Sequence, residues 1–407
     1  MVSDSRLGTV LGALPNNPRV VAGGNFATPW HVLGVLDAAV AEYRLFMLNA
    51  QPGVPDRDGV VLESAFIGAG MRGSARLKYY PCRLSLVPVM LAGTLTPDVV
   101  LVHTSPPVHG TVSLGTEVNV LPAAIEAVRD RGGLVIAQIN RDMPYTFGDA
   151  ILAVEDIDYG IEADAPLQSP QERPPHDTSL AIADRVAAIV PDGAALQLGI
   201  GAVPDAVLAA LTGRSDLTVW SEMFSDGVLG LAKAGALDTG QRVIASFAFG
   251  SPELYGWMDR NPGIRMLRTE VTNDPARIAR HPRMISVNSA LQVDLFAQAN
   301  ANRVRGMNYS GFGGQTDFVV GALHSPDGKA IIALPSWHPK AAVSTVVPRL
   351  AGPVTSFQHS YIVSDQGTAA VWGFDASAQA EAIITSVAHP DARDELRAGG
   401  RDLGFAV

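Results

Sequence analysis

"DVVLVHTSPP", residues 98–107, reads as a buried β-strand that ends at a pair of prolines. The following segment, GTEVNVLPAAIEAVRDRGG (115–133), has helical spacing and ends in glycines, and LVIAQIN (134–140) is again a strand. A strand, a helix and a second strand in this order are typical of a mainly parallel sheet covered by helices. This stretch therefore predicts the α/β class.

The same alternation recurs on both sides of this stretch. RVVAGG (19–24) is followed by a helical segment at 28–43, and AALQLGIG (194–201) leads into PDAVLAALTG (204–213), which has proline at its start. We therefore expect two open α/β domains, with mixed or mostly parallel sheets covered by helices. Further strands are expected at RVIASFAFG (242–250), RMISVNSALQVDLF (283–296), KAIIALPS (329–336) and SYIVSDQG (360–367).

One segment has the composition of a linker. EADAPLQSPQERPPHDTS (162–179) combines four prolines with many polar residues, which is typical of a connection between domains. The sequence therefore predicts an N-terminal domain over 1–175 and a C-terminal domain over 176–407.

Composition narrows the class of protein. The chain has 407 residues, 47% hydrophobic and 17% charged, which fits a well-buried globular protein. A net charge of -10 disfavours non-specific binding to nucleic acid or to an anionic membrane. Cys82 is the single cysteine, so no intramolecular disulfide can form. No signal peptide and no membrane span are recognised, and we expect a cytoplasmic protein.

The first of two glycine clusters is LGIGAVPDAV (198–207). Gly199 and Gly201 stand between a strand and a helix, where backbone N–H groups can approach a phosphate or a bulky ligand. A dinucleotide fingerprint needs a third glycine where Pro204 stands, so that interpretation is weak. An ordinary tight turn explains the pattern equally well.

The second cluster is SGFGGQTDF (310–318). Gly311, Gly313 and Gly314 expose backbone N–H groups, and such a nest can hold an oxyanion. A flexible turn between two elements is the alternative. The residues alone leave both interpretations open.

A lone acidic residue stands among apolar neighbours in WSEMFSDG (220–227). Glu222 either supports the start of a helix that begins near Ser225 or is placed there for chemistry. A similar choice applies to Asn273 and Asp274, which precede Pro275 and would ordinarily form a turn or a helix cap.

Several common catalytic patterns are absent from the sequence. The nine histidines show neither HxH nor HExxH spacing, so no metal site is expected. The chain also lacks the GxSxG elbow of serine hydrolases and the GxxxxGK[ST] loop of P-loop proteins.

Taken together, the motifs resemble the acetyl-CoA hydrolase/transferase family, in the class of CoA-transferases that work through a glutamyl thioester. The resemblance is nearest to the 4-hydroxybutyrate or butyrate CoA-transferase branch and covers nearly the whole chain. It rests on GGNFATP (23–29), HTSPPVHGTVSLG (103–115), INRDMPYTFGDA (139–150), LGIGAVPDAV (198–207), SEMFSDGV (221–228), TNDP (272–275), ISVNSALQVDL (285–295), SGFGGQTDFVVGA (310–322) and AHPDARDEL (388–396).

The resemblance implies a role for each motif. Glu222 takes the place of the nucleophilic glutamate, and the Gly314 backbone N–H with Asn273 takes the place of the oxyanion donors. We expect the Glu222 carboxylate to be ionised yet poorly solvated. The residues expected to bind CoA or the acid are Gly199, Gly201, Ala202, Val203, Gly311, Gly313 and Asp365.

The chain departs from the family pattern near its C-terminus. Relatives carry TE-(Y/Q)-G where this sequence has Ser364-Asp365-Gln366-Gly367, and Gln358 and His359 stand in place of an acidic pair. These positions bear on the auxiliary role of Asp365 and on the choice of acid.

The resemblance implies CoA transfer between an acyl-CoA and a short-chain carboxylic acid, with no cofactor beyond these substrates. Two alternatives remain open: an acyl-CoA hydrolase on the same scaffold, and a non-catalytic protein that binds acyl-CoA. A homodimer without nucleic-acid or membrane partners is also expected.

Overall fold

A computed structural model of the chain describes residues 1–170, 174–338, 340–352, 354 and 358–407. The chain forms two compact units, one of Met1–Pro170 with Arg242–Thr272 and the other of Gln171–Gln241 with Asn273–Val407. The first segment ends close to the boundary expected at residue 175. By contrast, Arg242–Thr272 was expected in the second domain and groups with the first unit. Residues 171–173 of the expected linker lie outside the described residues.

The helices are described by their bounds in chain order. Within the described residues, no helix is long and apolar enough to cross a membrane. The helices are α1 (Asp4–Leu11), α2 (Trp30–Ala39), α3 (Val87–Ala92), α4 (Leu121–Arg129), α5 (Asp177–Ile189), α6 (Ala202–Ala210), α7 (Asp226–Lys233), α8 (Pro252–Met258), α9 (Thr269–Thr272), α10 (Pro275–Ile278), α11 (Gln315–His324), α12 (Ala376–Ala382) and α13 (Arg393–Asp402).

Each unit has one main sheet, and shorter strands pair outside these sheets. The strands of the two main sheets are β1 (Arg19–Ala22), β2 (Tyr43–Phe46), β3 (Val60–Ser64), β4 (Leu77–Tyr79), β5 (Val99–Thr104), β6 (Leu134–Ile139), β7 (Tyr159–Glu162), β8 (Ala195–Leu198), β9 (Thr218–Val219), β10 (Met284–Ser289), β11 (Lys329–Ala333), β12 (Tyr361–Val363) and β13 (Thr368–Ala370).

The sheet of the first unit runs β4-β3-β2-β1-β5-β6-β7, and every neighbouring pair is parallel. All six residues of β5 are buried. A central parallel strand is covered on both faces, which is why its sequence is a continuous apolar run without alternation. Leu33 and Leu36 of α2 pack with Val20, Leu45 and Leu101 of the strands in one core.

The sheet of the second unit runs β9-β8-β10-β11-β12-β13. Its neighbours are parallel except for β13, which pairs antiparallel with β12. The strand β8 leads directly into Gly199, so the first glycine cluster lies at the carboxyl end of a parallel strand. Ligands of open α/β sheets bind at such ends.

The structure confirms the α/β class with mostly parallel sheets. DVVLVHTSPP contains β5, the segment 115–133 contains α4, and LVIAQIN contains β6. The helix expected over 28–43 ends earlier, at Ala39, because Val40 is already extended, and Tyr43 starts β2.

One expected strand lies outside the main sheets. RVIASFAFG forms two short strands, Val243–Ala245 and Phe247–Ala248, which belong to separate two-stranded ladders. Ser246 lies between the two strands, and its hydroxyl donates to the Leu267 carbonyl oxygen at 2.7 Å. The alternation of apolar residues does not distinguish such a ladder from a strand of the main sheet.

Candidate active site

Glu222 lies in a short irregular segment between β9 and α7. The next two residues, Met223 and Phe224, form a short buried strand, and Ser225 is the N-cap of α7. Because these apolar side chains anchor the backbone in the core, the position of Glu222 is fixed although the residue itself is only partly buried.

Two hydrogen bonds join the segment around Glu222 to the first glycine cluster. The Ser221 hydroxyl donates to the Leu198 carbonyl oxygen at 3.3 Å. On the other side, the Ser225 hydroxyl donates to Asp205 Oδ1 at 3.1 Å. These two hydrogen bonds connect Leu198 and Asp205, on either side of the loop over 199–203, to the segment that carries Glu222.

Two neutral donors hold the Glu222 carboxylate. Asn273 is fully buried, and its Nδ2 donates to Glu222 Oε2 at 3.0 Å. The backbone N–H of Gly314 also donates to this carboxylate. All three residues predicted to be catalytic therefore meet in one cluster of the second unit.

The TNDP motif carries two roles on adjacent residues. Asp274 is the N-cap of α10, and its carboxylate accepts from the Ala276 N–H at 2.9 Å, as an ordinary helix cap does. Asn273 instead directs its amide to Glu222. The ordinary interpretation is thus correct for Asp274 and wrong for Asn273.

Gly314 is the N-cap of α11, which extends from Gln315 to His324. Its backbone is helical, with φ −90° and ψ −5°, which most residues can adopt. A Cβ atom at this position would nevertheless collide with Glu222 Oε2 and Asn273 Nδ2. A side chain here would displace the Glu222 carboxylate and the Asn273 amide from their present positions. Before it, Gly313 has a left-handed φ of 57°, and Gly311 is buried.

The surroundings of Glu222 shift its acidity. Burial raises the pKa of Glu222 from an ordinary 4.5 to about 7, although the hydrogen bond from Asn273 lowers it. The nearby negative charge of Asp317 raises this pKa further, and the bond from Gly314 lowers it. The expectation of an ionised carboxylate is therefore too simple, because about half of it is protonated at pH 7.

Helix capping does not explain this position. α7 begins at Asp226, and no side chain caps its first turn. The Glu222 carboxylate instead accepts from the N-cap amide of α11, a helix distant in sequence. A group with a pKa near 7 next to fixed donors is suited to a chemical role.

The loop over 199–203 is open. Added Cβ atoms at Gly199 or Gly201 would meet no atom within 4 Å. Gly201 has φ 122° and ψ 176°, a backbone that is essentially restricted to glycine, and it is the N-cap of α6. Ala202 is exposed and Val203 half-buried at the start of the same helix. The loop therefore leaves space next to its two glycines.

Asp365 has a different environment. It follows β12, and its carboxylate accepts from the Ser336 N–H at 2.6 Å, the Ser336 hydroxyl at 3.1 Å and Gln366 Nε2 at 2.8 Å. Burial alone would raise the pKa of Asp365, but these hydrogen bonds outweigh it and lower the pKa. The carboxylate holds two segments of the unit together, and its auxiliary role stays a prediction.

His359 is 2% exposed, and burial lowers its pKa to about 3, so the ring is neutral. Gln358 lies beside it in the chain. Neither residue supplies the charge of the acidic pair that the resemblance implies for this position. Residues 355–357, which precede them in the same motif, lie outside the described residues.

Sequence reasoning missed three polar residues in the first turn of α11. Gln315 Nε2 and Thr316 Oγ1 are buried without a hydrogen-bond partner among the described residues. Asp317 is fully buried and acts on Glu222 through its charge. Their signal was present in the sequence, since QTD directly follows the glycine cluster, but only the glycines were given a role.

Two family models together match most of the chain. The N-terminal domain of the acetyl-CoA hydrolase/transferase family matches residues 19–168, and the C-terminal domain of that family matches residues 250–399. Asn273 and Gly314 lie within these matches, whereas Glu222 lies between them. The family is therefore recognised without the glutamate itself.

Two curated relatives and one solved structure are similar over most of the chain. The 4-hydroxybutyrate coenzyme A transferase of Clostridium kluyveri is 37% identical over 81% of this chain and 80% of its own. The succinyl-CoA:acetate/propanoyl-CoA:succinate CoA transferase of Fasciola hepatica is 33% identical over 96% of this chain and 86% of its own. The crystal structure of RipA from Yersinia pestis superimposes with a TM-score of 0.91, at 28% identity, over 99% of this chain and 100% of its own.

Proposed function

The chain belongs to the acetyl-CoA hydrolase/transferase family and is a CoA-transferase, and we propose that it moves CoA from an acyl-CoA to a short-chain carboxylic acid through a thioester on Glu222. The observation that carries the proposal is the Glu222 carboxylate, held by Asn273 and the Gly314 N–H, with a pKa of about 7. Butyrate and 4-hydroxybutyrate are the first acids to test, since the Clostridium kluyveri relative is named for the latter.

The proposed reaction begins when the ionised Glu222 attacks the thioester carbonyl of the acyl-CoA. The C–S bond breaks, leaving a mixed anhydride and the CoA thiolate. The thiolate then attacks the glutamyl carbonyl, which releases the first acid as its anion and leaves a glutamyl-CoA thioester. A second carboxylate reverses both steps and regenerates Glu222. The bonds made and broken balance with the Glu222 carboxylate and the two substrates, so the scheme uses no further cofactor.

The two donors are suited to the steps at the glutamyl carbon. When the thiolate attacks this carbon, the oxygen that already accepts from Asn273 becomes the oxyanion. Asn273 is fully buried and Gly314 is fixed at the start of α11, so neither donor has to reorganise. Fixed donors aimed at a developing charge are the largest single contribution in many acyl transfers.

A pKa of about 7 suits this role. A carboxylate with a raised pKa is more nucleophilic once it is ionised, because its charge is less stabilised by its surroundings. At neutral pH about half of the enzyme would carry the reactive form. We therefore expect the rate at low acyl-CoA concentration to rise with pH through about 7 in the free enzyme.

The test is covalent trapping. Incubation with an acyl-CoA alone should attach a CoA-sized adduct to the peptide that contains Glu222, as detected by mass spectrometry. Borohydride should reduce this thioester to an alcohol and inactivate the enzyme, while enzyme without acyl-CoA is untouched. Glu222→Gln should lose the adduct and the transfer activity, and Glu222→Asp should retain a small part of both.

The matched control is Glu381→Gln, since Glu381 pairs with Arg397 at 2.7 Å on the surface of the same unit. This variant should form the adduct normally. A Glu222→Gln enzyme that still forms the adduct, or a wild-type enzyme that transfers CoA without it, would refute the covalent role of Glu222.

Hydrolysis is the alternative within the same family. Water and the acceptor acid compete for the same glutamyl thioester or anhydride. CoA release from an acyl-CoA, with and without acetate, measures the partition directly. Release that is independent of any acid would identify a hydrolase, and formation of acetyl-CoA would identify a transferase.

The remaining assignments of the site are proposals on the same footing. The 199–203 loop with Gly311 and Gly313 would bind CoA or the acid, and Asp365 would act as an auxiliary group. The cytoplasmic location and the homodimer stay predictions from the sequence.

A further inference from the structure

The fully buried Asp317 occupies a defined place relative to the nucleophile. It is the third residue of α11, three positions after the N-cap Gly314. In an α-helix the side chain at this position lies one turn from the N-cap and reaches back toward its backbone N–H. Since the Gly314 N–H also donates to Glu222, the two carboxylates approach the same helix end.

Three other acidic residues lie on the elements that adjoin the Glu222 segment and Asn273. Asp205 on α6 is bonded to Ser225, and Asp274 caps its own helix α10. Asp226 lies in the first turn of α7. Among the described residues, Asp317 is the charged group that raises the pKa of Glu222. Burial is the largest cause of the raised pKa, and the hydrogen bonds from Asn273 and Gly314 oppose it.

Trp220, two residues before Glu222, lies against one further titratable group. The Trp220 ring lies 4.4 Å from that of His281, centroid to centroid. Burial lowers the pKa of His281, which favours its neutral form. His281 therefore supplies no positive charge to offset the repulsion between Glu222 and Asp317 at neutral pH.

We infer that Asp317 is a positioning residue whose buried negative charge opposes that of Glu222 and thereby favours the states in which Glu222 is covalently bound and uncharged. The inference rests on the proposed function, since it concerns the glutamyl-CoA thioester. It adds a residue to the reaction that contacts neither the substrate nor the bond being formed.

The charge balance of the reaction explains the effect. In the net first half, Glu222–COO⁻ and R–CO–S–CoA become Glu222–CO–S–CoA and R–COO⁻. The C–S bond to the acyl group breaks, a C–S bond to the glutamyl carbon forms, and the negative charge leaves with the released acid. Repulsion from Asp317 is present before this step and absent after it, so Asp317 shifts the equilibrium toward the thioester.

The test uses Asp317→Asn in the full-length protein. Carbon-13 NMR of protein labelled at the glutamate carboxyl carbons follows the titration of Glu222 in the free enzyme, and Glu222→Gln identifies its signal. We expect the midpoint to fall below about 7 in Asp317→Asn but to stay above 4.5, because burial, the largest cause of the raised pKa, remains. In Asp317→Glu, which restores the charge, it should stay near 7. At a fixed ratio of acyl-CoA to free acid, the ratio of thioester to free enzyme should fall about tenfold for each unit of that shift.

The control is Asp294→Asn. Asp294 is also buried in the second unit, at 3% exposure, but its carboxylate accepts from backbone amides, including the Gln298 N–H at 2.9 Å. Its replacement should lower stability and leave the Glu222 titration unchanged. Asp317→Ser gives a second neutral variant if Asp317→Asn does not fold.

The outcomes separate the two proposals. An unchanged midpoint in a folded neutral variant overturns the role of Asp317, even if the thioester forms. Absence of any thioester in the wild-type enzyme overturns the proposed function, while the NMR titration, which needs no turnover, still decides whether Asp317 acts on Glu222.

Discussion

The second unit contains two glycine-rich loops whose glycines serve different purposes. In the first, Gly201 has a backbone conformation that is open essentially to glycine alone, and an added Cβ would meet empty space. In the second, Gly314 has an ordinary helical backbone, and an added Cβ would collide with the Glu222 carboxylate. Gly199 shows neither feature.

The difference teaches how a glycine near a site can be interpreted. A glycine required by its own dihedral angles marks a turn, whatever surrounds it. A glycine with unstrained angles and no room for a Cβ marks the close approach of another group, here the proposed nucleophile. Alanine substitutions at Gly199, Gly201 and Gly314 therefore test backbone strain and steric collision separately.

The largest expected effect is that of Gly314→Ala. Alanine fits the backbone angles, so a loss of activity reports the collision with the Glu222 carboxylate and the disturbed donor. Loss of one oxyanion donor costs about 10²–10³ in kcat, and we expect a loss in this range with a circular dichroism spectrum like that of the wild type. Retention of more than a third of wild-type kcat would show that the carboxylate does not need this approach.

Asn273→Ala removes the other donor without adding an atom. We expect kcat to fall about 10²-fold, at the lower end of the range for one donor, because the Gly314 N–H remains. Steady-state kinetics with acyl-CoA and acetate measure it. Asp274→Ala, which removes the neighbouring helix cap, serves as the control and should cost about 1 kcal/mol of stability with little change in kcat. Equal kinetic effects of the two variants would contradict the division of roles within TNDP.

Glu222→Gln should make the protein more stable at high pH. The folded pKa of about 7 lies above the ordinary 4.5, so the folded wild type holds this proton more tightly and loses stability as the pH rises from 4.5 to 7. Glutamine carries no charge and avoids the loss. Urea unfolding should show a stability gain of up to about 3 kcal/mol at pH 8 and almost none at pH 4.5.

The same experiment has an internal check in Glu381→Gln. The hydrogen bond from Arg397 holds the pKa of Glu381 below its ordinary value, so the ionised form stabilises the folded state there. Its replacement should therefore lower stability at neutral pH, the opposite sign to Glu222→Gln. A Glu222→Gln protein with no pH-dependent gain would show that the carboxylate is well solvated.

The smallest effects are expected in the open loop. Gly201→Ala must adopt a strained backbone and should cost about 1–3 kcal/mol of stability. Gly199→Ala meets neither strain nor collision, and its stability should change by less than about 0.5 kcal/mol. Thermal unfolding of both variants measures the contrast. A Gly199→Ala enzyme as impaired as Gly314→Ala would remove the distinction between the two loops.

The elements that the sequence predicted best are those buried on both faces. β5, α4 and β6 follow from their apolar runs and their glycine or proline ends, because local residues dictate both the burial and the stops. The segment 242–250 could not be placed in the same way. Val243–Ala245 pairs with Ile264–Met266 in a ladder outside the main sheet, and nothing within 242–250 specifies that partner.

The candidate site shows the same limit. The sequence pointed to Glu222, Asn273 and Gly314 through a family resemblance, while spacing alone left each of them open. Their contact joins residues 51 positions apart and more, which no local pattern encodes. The raised pKa of Glu222 could not be predicted from the sequence either. It arises from burial and from Asp317, whose position depends on how α11 packs next to the Glu222 segment.

The return of Arg242–Thr272 to the first unit has a consequence for synthesis on the ribosome. Residues 171–241, which belong to the second unit, leave the ribosome before the first unit is complete. At about 5–20 residues per second, the gap lasts about 4–14 seconds. During this time Val118 lacks the Ser246 carbonyl oxygen to which its N–H donates at 2.9 Å, and Asp149 lacks that of Met266. The first unit therefore cannot complete its hydrogen bonds until Arg242–Thr272 has been synthesised.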